Sequence, residues 1–143
     1  MVRARGFRAL RVSAIEGARQ AAHTVVVVDT IGHLKSLYSI ATLVFVGKSL
    51  TAHGGQNIIE PAFWGKSVIV GPYVENFKDI IAIFLKRNAV VQVFSAESFG
   101  QEIRRLLADP KERERLGEAA KTVVHDNRGV TEKTLQLIQK VIG

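Results

Sequence analysis

The sequence predicts an α/β protein in which a parallel β-sheet lies between layers of helices. Short apolar runs alternate with amphipathic segments along the chain, as in proteins built from repeated β-α units. Several of these runs are apolar at consecutive positions, which is typical of strands covered on both faces. The length of 143 residues suits one domain, and we expect residues 1–143 to form a single unit without repeats or linkers.

The predicted strands are short runs rich in valine, isoleucine or phenylalanine. They are Arg8–Val12, Thr24–Asp29, Leu43–Gly47, Ser67–Gly71 and Val90–Phe94. The consecutive apolar pattern holds for the middle three, so we expect those three to be buried on both faces.

Helices are predicted where apolar residues recur at i, i+3, i+4 and i+7 positions or where charges of both signs are mixed. They cover residues 34–41, 58–64, 77–85, 99–107, 111–126 and 135–142. Pro110 should separate two of these helices, because proline disfavours α geometry in the residue before it. The mixed charges of residues 111–126 indicate a solvent-facing helix, and the last helix carries an apolar stripe.

Composition excludes several classes of protein. The chain has no cysteine, which rules out disulfide scaffolds, thiolate metal sites and cysteine nucleophiles. The apolar runs fall far short of the roughly 20 residues needed to span a bilayer, and the arginine-rich start lacks the apolar core of a secretory signal. We therefore expect a cytoplasmic chain. The net charge of +7 favours anionic partners without choosing among them.

The segment from Gly47 to Asn57 is the strongest candidate for a ligand site. It follows a predicted strand, at the edge where ligands bind parallel sheets. Gly54 and Gly55 precede a predicted helix that Asn57 would cap, so backbone amides there can hold an anion. Lys48 and Ser49 can add contacts to that anion. A long turn followed by a helix cap explains the same residues equally well.

Three further features concern the same edge of the sheet. Glu60 can accept hydrogen bonds from a ribose diol, or simply place a favourable charge at a helix start. The turn Asp29–Gly32 can let a ligand approach the backbone, although a capped tight turn explains it more simply. The segment 71–77 forms a ligand rim or a turn, with Asn76 as a predicted helix cap.

Common nucleotide motifs and metal sites are not present. The two Gly-Lys-Ser strings lack the earlier glycine of a phosphate-binding P-loop, and no strand is followed by a Gly-x-Gly-x-x-Gly fingerprint. The four histidines show no metal-ligand spacing, so we expect neither a metal nor a cofactor.

Taken together, the segments 29–32, 46–50, 53–61 and 71–77 resemble the C-terminal domain of 3-deoxy-D-manno-octulosonic acid (Kdo) transferase of lipopolysaccharide synthesis. The string His-Gly-Gly-Gln-Asn-Ile-Ile-Glu-Pro at residues 53–61 is the most specific part. The resemblance implies an inverting, metal-independent glycosyltransferase of the GT-B fold. Its C-terminal half, a Rossmann-like parallel sheet flanked by helices, would hold CMP-Kdo, while the N-terminal half holds a lipid A precursor.

The resemblance also implies roles for individual residues. Ser49, Gly54, Gly55 and Asn57 would surround the phosphate of CMP-Kdo, Ile31 and Gly32 would lie near the base, and Glu60 would bind the ribose hydroxyls. Lys48 departs from the family pattern, in which glycine is usual, and would either crowd the phosphate or add a cation to it.

The chain also lacks parts that the resemblance leads us to expect. These are the acceptor domain with the catalytic carboxylate and membrane anchor, and the first two strands of the sugar-donor domain. We therefore expect no catalytic residue here, no activity of the chain alone, and exposed strand edges that favour a homo-oligomer. Relatives would act at the cytoplasmic face of the bacterial inner membrane. The alternatives are a UDP-sugar domain of the same fold and a non-enzymatic basic module for nucleic acid or anionic lipid, although we expect no nucleic acid.

Overall fold

The computed structural model describes residues 3–14, 24–128 and 138–140. The chain divides into two compact units, residues 1–37 and 38–143. The expectation that residues 1–143 form one domain stays a prediction. The helices and strands are β1 (Arg8–Arg11), β2 (Thr24–Val27), α1 (Leu34–Ile40), β3 (Val44–Phe45), α2 (Ile59–Phe63), β4 (Val68–Val70), α3 (Lys78–Lys86), β5 (Val91–Gln92), α4 (Ala96–Ala108) and α5 (Pro110–Asp126). Of the predicted final helix only residues 138–140, which are helical, are described.

The first unit contains a two-stranded parallel sheet. Strands β1 and β2 pair in a register that runs from Arg8 opposite Thr24 to Arg11 opposite Val27. The predicted burial of this second strand is wrong, because its valines are exposed, from 36% at Val25 to 42% at Val26. The run of consecutive valines therefore indicates a strand, but not a layer packed over its faces.

The second unit contains a three-stranded parallel sheet in the order β3-β4-β5. Its central strand is buried at every position, which confirms the prediction for Ser67–Gly71. Alternate side chains enter two different clusters: Val68 and Val70 pack with residues of α2, α3 and α5, whereas Ile69 packs with Leu106 of α4 and Leu116 of α5. The predicted α/β layering is therefore confirmed in this unit.

Helices α4 and α5 meet at the predicted proline break. Asp109 ends α4 and caps α5, since its carboxylate accepts the amide of Glu112 at 3.0 Å. Helix α5 is not simply solvent-facing, because Leu116, Gly117, Ala120 and Val123 are buried on one side. Gly117 packs so closely on the turn after α2 that a Cβ there would lie 2.0 Å from the carbonyl oxygen of Gly65.

Candidate functional site

The loop between β3 and α2 leaves the carboxyl end of β3 and contains three residues with positive φ. These are Lys48 at 70°, Gly54 at 107° and Gly55 at 54°. Glycine adopts this region freely, whereas a lysine there is strained. The loop therefore turns at three left-handed residues, two of which are the adjacent glycines Gly54 and Gly55.

Ser49 joins this loop to the segment after β4. Its side chain is fully buried, and its hydroxyl donates to the carbonyl oxygen of Val46 at 2.6 Å and accepts the amide of Gly71 at 2.8 Å. The Ser49 carbonyl accepts the amide of Tyr73 at 2.9 Å. Because its only hydroxyl proton is used inside the protein, Ser49 acts in this structure as a structural link. Its contact with a phosphate remains a prediction.

The two glycines of the loop contact the segment after β4 in different ways. The amide of Gly54 donates to the carboxylate of Glu75 at 2.9 Å. Gly55 is buried against the backbone, since a Cβ there would lie 3.0 Å from the carbonyl oxygen of Tyr73 and 3.2 Å from Cα of Val74. The loop is thus held close to residues 73–75, and Gly55 leaves no room for a side chain.

His53 and Glu75 form a side-chain hydrogen bond on the surface of this loop. Nδ1 of His53 lies 2.9 Å from Oε1 of Glu75, and the imidazole meets the ring of Tyr73 edge-on at 4.9 Å. The hydrogen bonds from His53 and from the Gly54 amide lower the pKa of Glu75 to about 2. Glu75 is therefore a carboxylate at neutral pH, with one oxygen toward the imidazole and the other toward the backbone.

Two further side chains reach Gly54. A Cβ built on this glycine would lie 3.1 Å from the side-chain nitrogen of Asn76 and 3.9 Å from the ammonium nitrogen of Lys48. The prediction that Asn76 caps a helix is wrong, because α3 begins after Phe77 without a side-chain cap. The 3-10 turn formed by residues 75–77 comes first and turns Asn76 toward the loop instead.

The start of α2 carries the other predicted residues. The side-chain oxygen of Asn57 accepts the amide of Ile59, the first residue of α2, at 2.9 Å. The cap position itself is occupied by Ile58, which has no side-chain cap, so the prediction that Asn57 is the cap is wrong by one position. Glu60 lies half-buried in the first turn of α2. Burial, and secondly the charge of Glu60, raise the pKa of Tyr38 in α1.

Ile31 and Gly32 belong to the first unit. They follow β2 in an exposed bend, Gly32 has a φ of 98°, and no atom lies within 4 Å of a Cβ built on it. Their place near a base remains a prediction, whereas Lys48, Ser49, Gly54, Gly55, Asn57 and Glu60 share one loop and helix start in the second unit.

The prediction from sequence did not include Glu75 as a site residue. It lies 22 positions from His53, and no spacing rule connects the two. The sequence does indicate its neighbourhood, because the segment 71–77 is predicted to line the same edge of the sheet. Glu75 is the acidic residue within that segment.

A parallel sheet between helices, with glycine-containing loops at the carboxyl ends of its strands, defines a Rossmann-like α/β domain. Residues 12–123 match the model of the family described as glycosyl transferases group 1. The chain therefore belongs to this glycosyltransferase family.

Within this family, the chain is similar in sequence to bacterial 3-deoxy-D-manno-octulosonic acid transferases. The 3-deoxy-D-manno-octulosonic acid transferase of Haemophilus influenzae is 35% identical over 116 residues, which are 80% of this chain and 27% of that protein. The enzyme of the same name from Bordetella pertussis is 34% identical over 115 residues, again 80% and 27%. The chain spans about a quarter of the length of these curated relatives.

A solved structure extends the likeness to the fold. The C-terminal CMP-Kdo binding domain of WaaA from Acinetobacter baumannii superimposes with a TM-score of 0.77 and 31% identity, over 85% of this chain and 63% of that one. The resemblance to the C-terminal domain of Kdo transferases is thereby confirmed. In the part of the chain that is described, no helix is both long and apolar enough to cross a membrane.

Proposed function

We propose that this chain is the sugar-donor part of a Kdo transferase and binds CMP-Kdo for Kdo transfer to a lipid A precursor. The observation that carries the proposal is the likeness, in fold and at 31% identity, to a domain that binds CMP-Kdo. The transferase relatives, which the chain matches over 80% of its own length, support the same assignment.

The loop before α2 has the hydrogen-bonding groups that this function needs. Among the described residues, no acceptor is bound to the amides of Gly55, Gln56 and Asn57, although the amide of Gly54 is used by Glu75. Consecutive unpaired amides in a glycine-containing loop bind anions well. We assign them to the phosphate of the nucleotide, where they would stabilise the charge of departing CMP.

Other residues have roles around this phosphate. Lys48, whose ammonium lies beside Gly54, adds positive charge to the site. Glu60 accepts hydrogen bonds from the ribose hydroxyls. Ile31 and Gly32 line the base, and Ser49 holds the loop in place beneath the phosphate.

The remaining elements of the reaction are assigned to the rest of the enzyme. We place the acceptor site and the catalytic carboxylate in the N-terminal half that the resemblance implies, so the 143-residue chain alone should bind the nucleotide without turnover. The complete enzyme would act at the cytoplasmic face of the bacterial inner membrane. A homo-oligomer that pairs free strand edges belongs to the same proposal.

A titration of CMP against UMP, AMP and inorganic phosphate tests this function. We expect saturable binding with a preference for CMP, which Gly55→Ala and Glu60→Ala both weaken. The alanine at position 55 would have a φ of 54° and a Cβ 3.0 Å from a carbonyl oxygen. Gly100→Ala is the matched control, since Gly100 lies in α4, outside this loop, and a Cβ there would meet only the side chain of Arg104 at 3.6 Å.

The result that refutes the proposal is binding of CMP no tighter than that of inorganic phosphate. Strong, salt-dependent binding of nucleic acid or anionic vesicles in that case would favour the basic-module alternative. Preference for UMP over CMP would instead indicate a UDP-sugar domain.

A further inference from the structure

Glu75 places a negative charge against a loop that is otherwise suited to binding an anion. One of its oxygens accepts the amide of Gly54 at 2.9 Å, and the other lies 2.9 Å from Nδ1 of His53. The next three amides along the loop are without acceptors among the described residues. A carboxylate of the protein therefore holds the first of four consecutive amides.

The surroundings of Gly54 are rich in hydrogen-bond donors and positive charge. The ammonium of Lys48 and the side-chain amide of Asn76 both approach this glycine. No salt bridge within the described ranges includes Lys48, although Glu75 is bound to the adjacent backbone. The titratable groups at this point are Lys48, His53, Tyr73 and Glu75.

We propose that the Glu75 carboxylate is an internal competitor for the phosphate of the nucleotide, bound at Gly54 and His53 where the incoming anion also needs donors. The inference rests on the proposed function and adds regulation of that site. A bound phosphate displaces Glu75 from the Gly54 amide or remains close to its charge, and either event lowers the affinity. His53 and Gly54 become available to the phosphate once Glu75 has left.

The accessibility of the pair allows this exchange. The side chains of His53 and Glu75 are 83% and 51% exposed, so neither is locked by packing. The Glu75 carboxylate remains ionised at neutral pH, since its hydrogen bonds lower its pKa to about 2. The Glu75 carboxylate therefore repels a phosphate electrostatically at neutral pH.

The sharpest test is Glu75→Gln in the 143-residue chain. Glutamine has the same shape and keeps an oxygen that can accept the Gly54 amide, but it has no charge. A unit charge a few ångströms from a bound anion changes the affinity by about fivefold in water. We expect Glu75→Gln to bind both CMP and inorganic phosphate about fivefold more tightly at low salt, and the gain to shrink toward none at about 1 M salt.

The matched control is Glu114→Gln, which removes the same charge from an exposed position on α5. Calorimetric titrations of the three proteins with CMP and with inorganic phosphate should give equal affinities for the parent and the control. A gain confined to Glu75→Gln and reduced by salt supports the inference. A gain of the same size in both variants would reflect net charge alone and would overturn it.

Other outcomes separate this inference from the proposed function. Unchanged or weaker binding by Glu75→Gln, with CMP still preferred over UMP, would refute the competitor and leave the function intact. Tighter phosphate and CMP binding without preference for CMP would support the competitor and refute the function. If neither the parent nor Glu75→Gln binds phosphate or CMP, the loop does not bind anions even without the Glu75 charge, and both proposals fail.

Discussion

Replacing Gly71 by alanine tests the link that holds the two loops of the site together. Gly71 follows β4, and a Cβ there would lie 2.2 Å from the carbonyl oxygen of Ser49 and 2.6 Å from Cα of Leu50. Both are backbone atoms at the start of the loop that carries Gly54 and Gly55. No side-chain rotation can relieve this overlap, so the two backbones must separate.

The size of the effect follows from two contributions. Inserting a methyl group into a close-packed interior costs about 1–3 kcal/mol. Separation of the backbones by about 1 Å also breaks the hydrogen bonds from Gly71 to the Ser49 hydroxyl and from Tyr73 to the Ser49 carbonyl, at about 1 kcal/mol each. We expect Gly71→Ala to lower the free energy of unfolding by about 3–5 kcal/mol.

Urea unfolding, followed by the fluorescence of Trp64, measures this loss in the second unit. Trp64 is the only tryptophan and lies directly after α2. With a slope of about 1.5 kcal/mol per molar urea, the midpoint should fall by about 2–3 M. Gly47→Ala, at the open position after β3, should leave the midpoint nearly unchanged. Midpoints of the two variants within about 0.3 M of each other would refute the close approach and the link built on it.

Two further predictions concern packing and pH. Gly117→Ala should lower the free energy of unfolding by about 2–4 kcal/mol, since its Cβ would lie 2.0 Å from the Gly65 carbonyl oxygen. Gly100→Ala in α4 is the control and should be neutral or stabilise the fold by up to about 1 kcal/mol. Equal urea midpoints for the two variants would contradict the close packing of Gly117. The pKa of Glu75 is lower in the folded chain (about 2) than its ordinary value of 4.5, so its contribution to stability is present above about pH 4.5 and is lost as the pH falls toward 2. The difference in unfolding free energy between the parent and Glu75→Gln should therefore shrink from pH 5 to pH 3, and a constant difference would show that Glu75 does not titrate this way.

The sequence predicted the second unit better than the first, for a physical reason. Consecutive apolar residues identify a strand covered on both faces only when the covering layers exist, as they do for β4. The valines of β2 have the same pattern, yet they are exposed in the two-stranded sheet that β2 forms with β1. Local pattern thus predicts that a strand forms, whereas its burial depends on residues distant in sequence.

The site shows the same division between local and distant effects. Asn57 accepts the amide of Ile59 from two residues away, and a contact of this kind is predictable because an asparagine side chain hydrogen-bonds the backbone close to it in sequence. The contacts of Ser49 with Gly71 and of Gly54 with Glu75 span 22 and 21 positions. They arise because parallel strands bring their carboxyl ends to one edge, which predicts the neighbourhood but not the partners.

These distant contacts differ in what a ligand can change. The link between Ser49 and Gly71 is buried and uses backbone atoms, so it holds the start of the loop whether or not an anion is bound. The contact between Gly54 and Glu75 is exposed and uses a carboxylate, which another anion can replace. Glu75 begins the 3-10 turn that leads into α3. An anion that displaces it therefore removes a contact between this turn and the loop, while the start of the loop stays joined to the segment after β4 through Ser49.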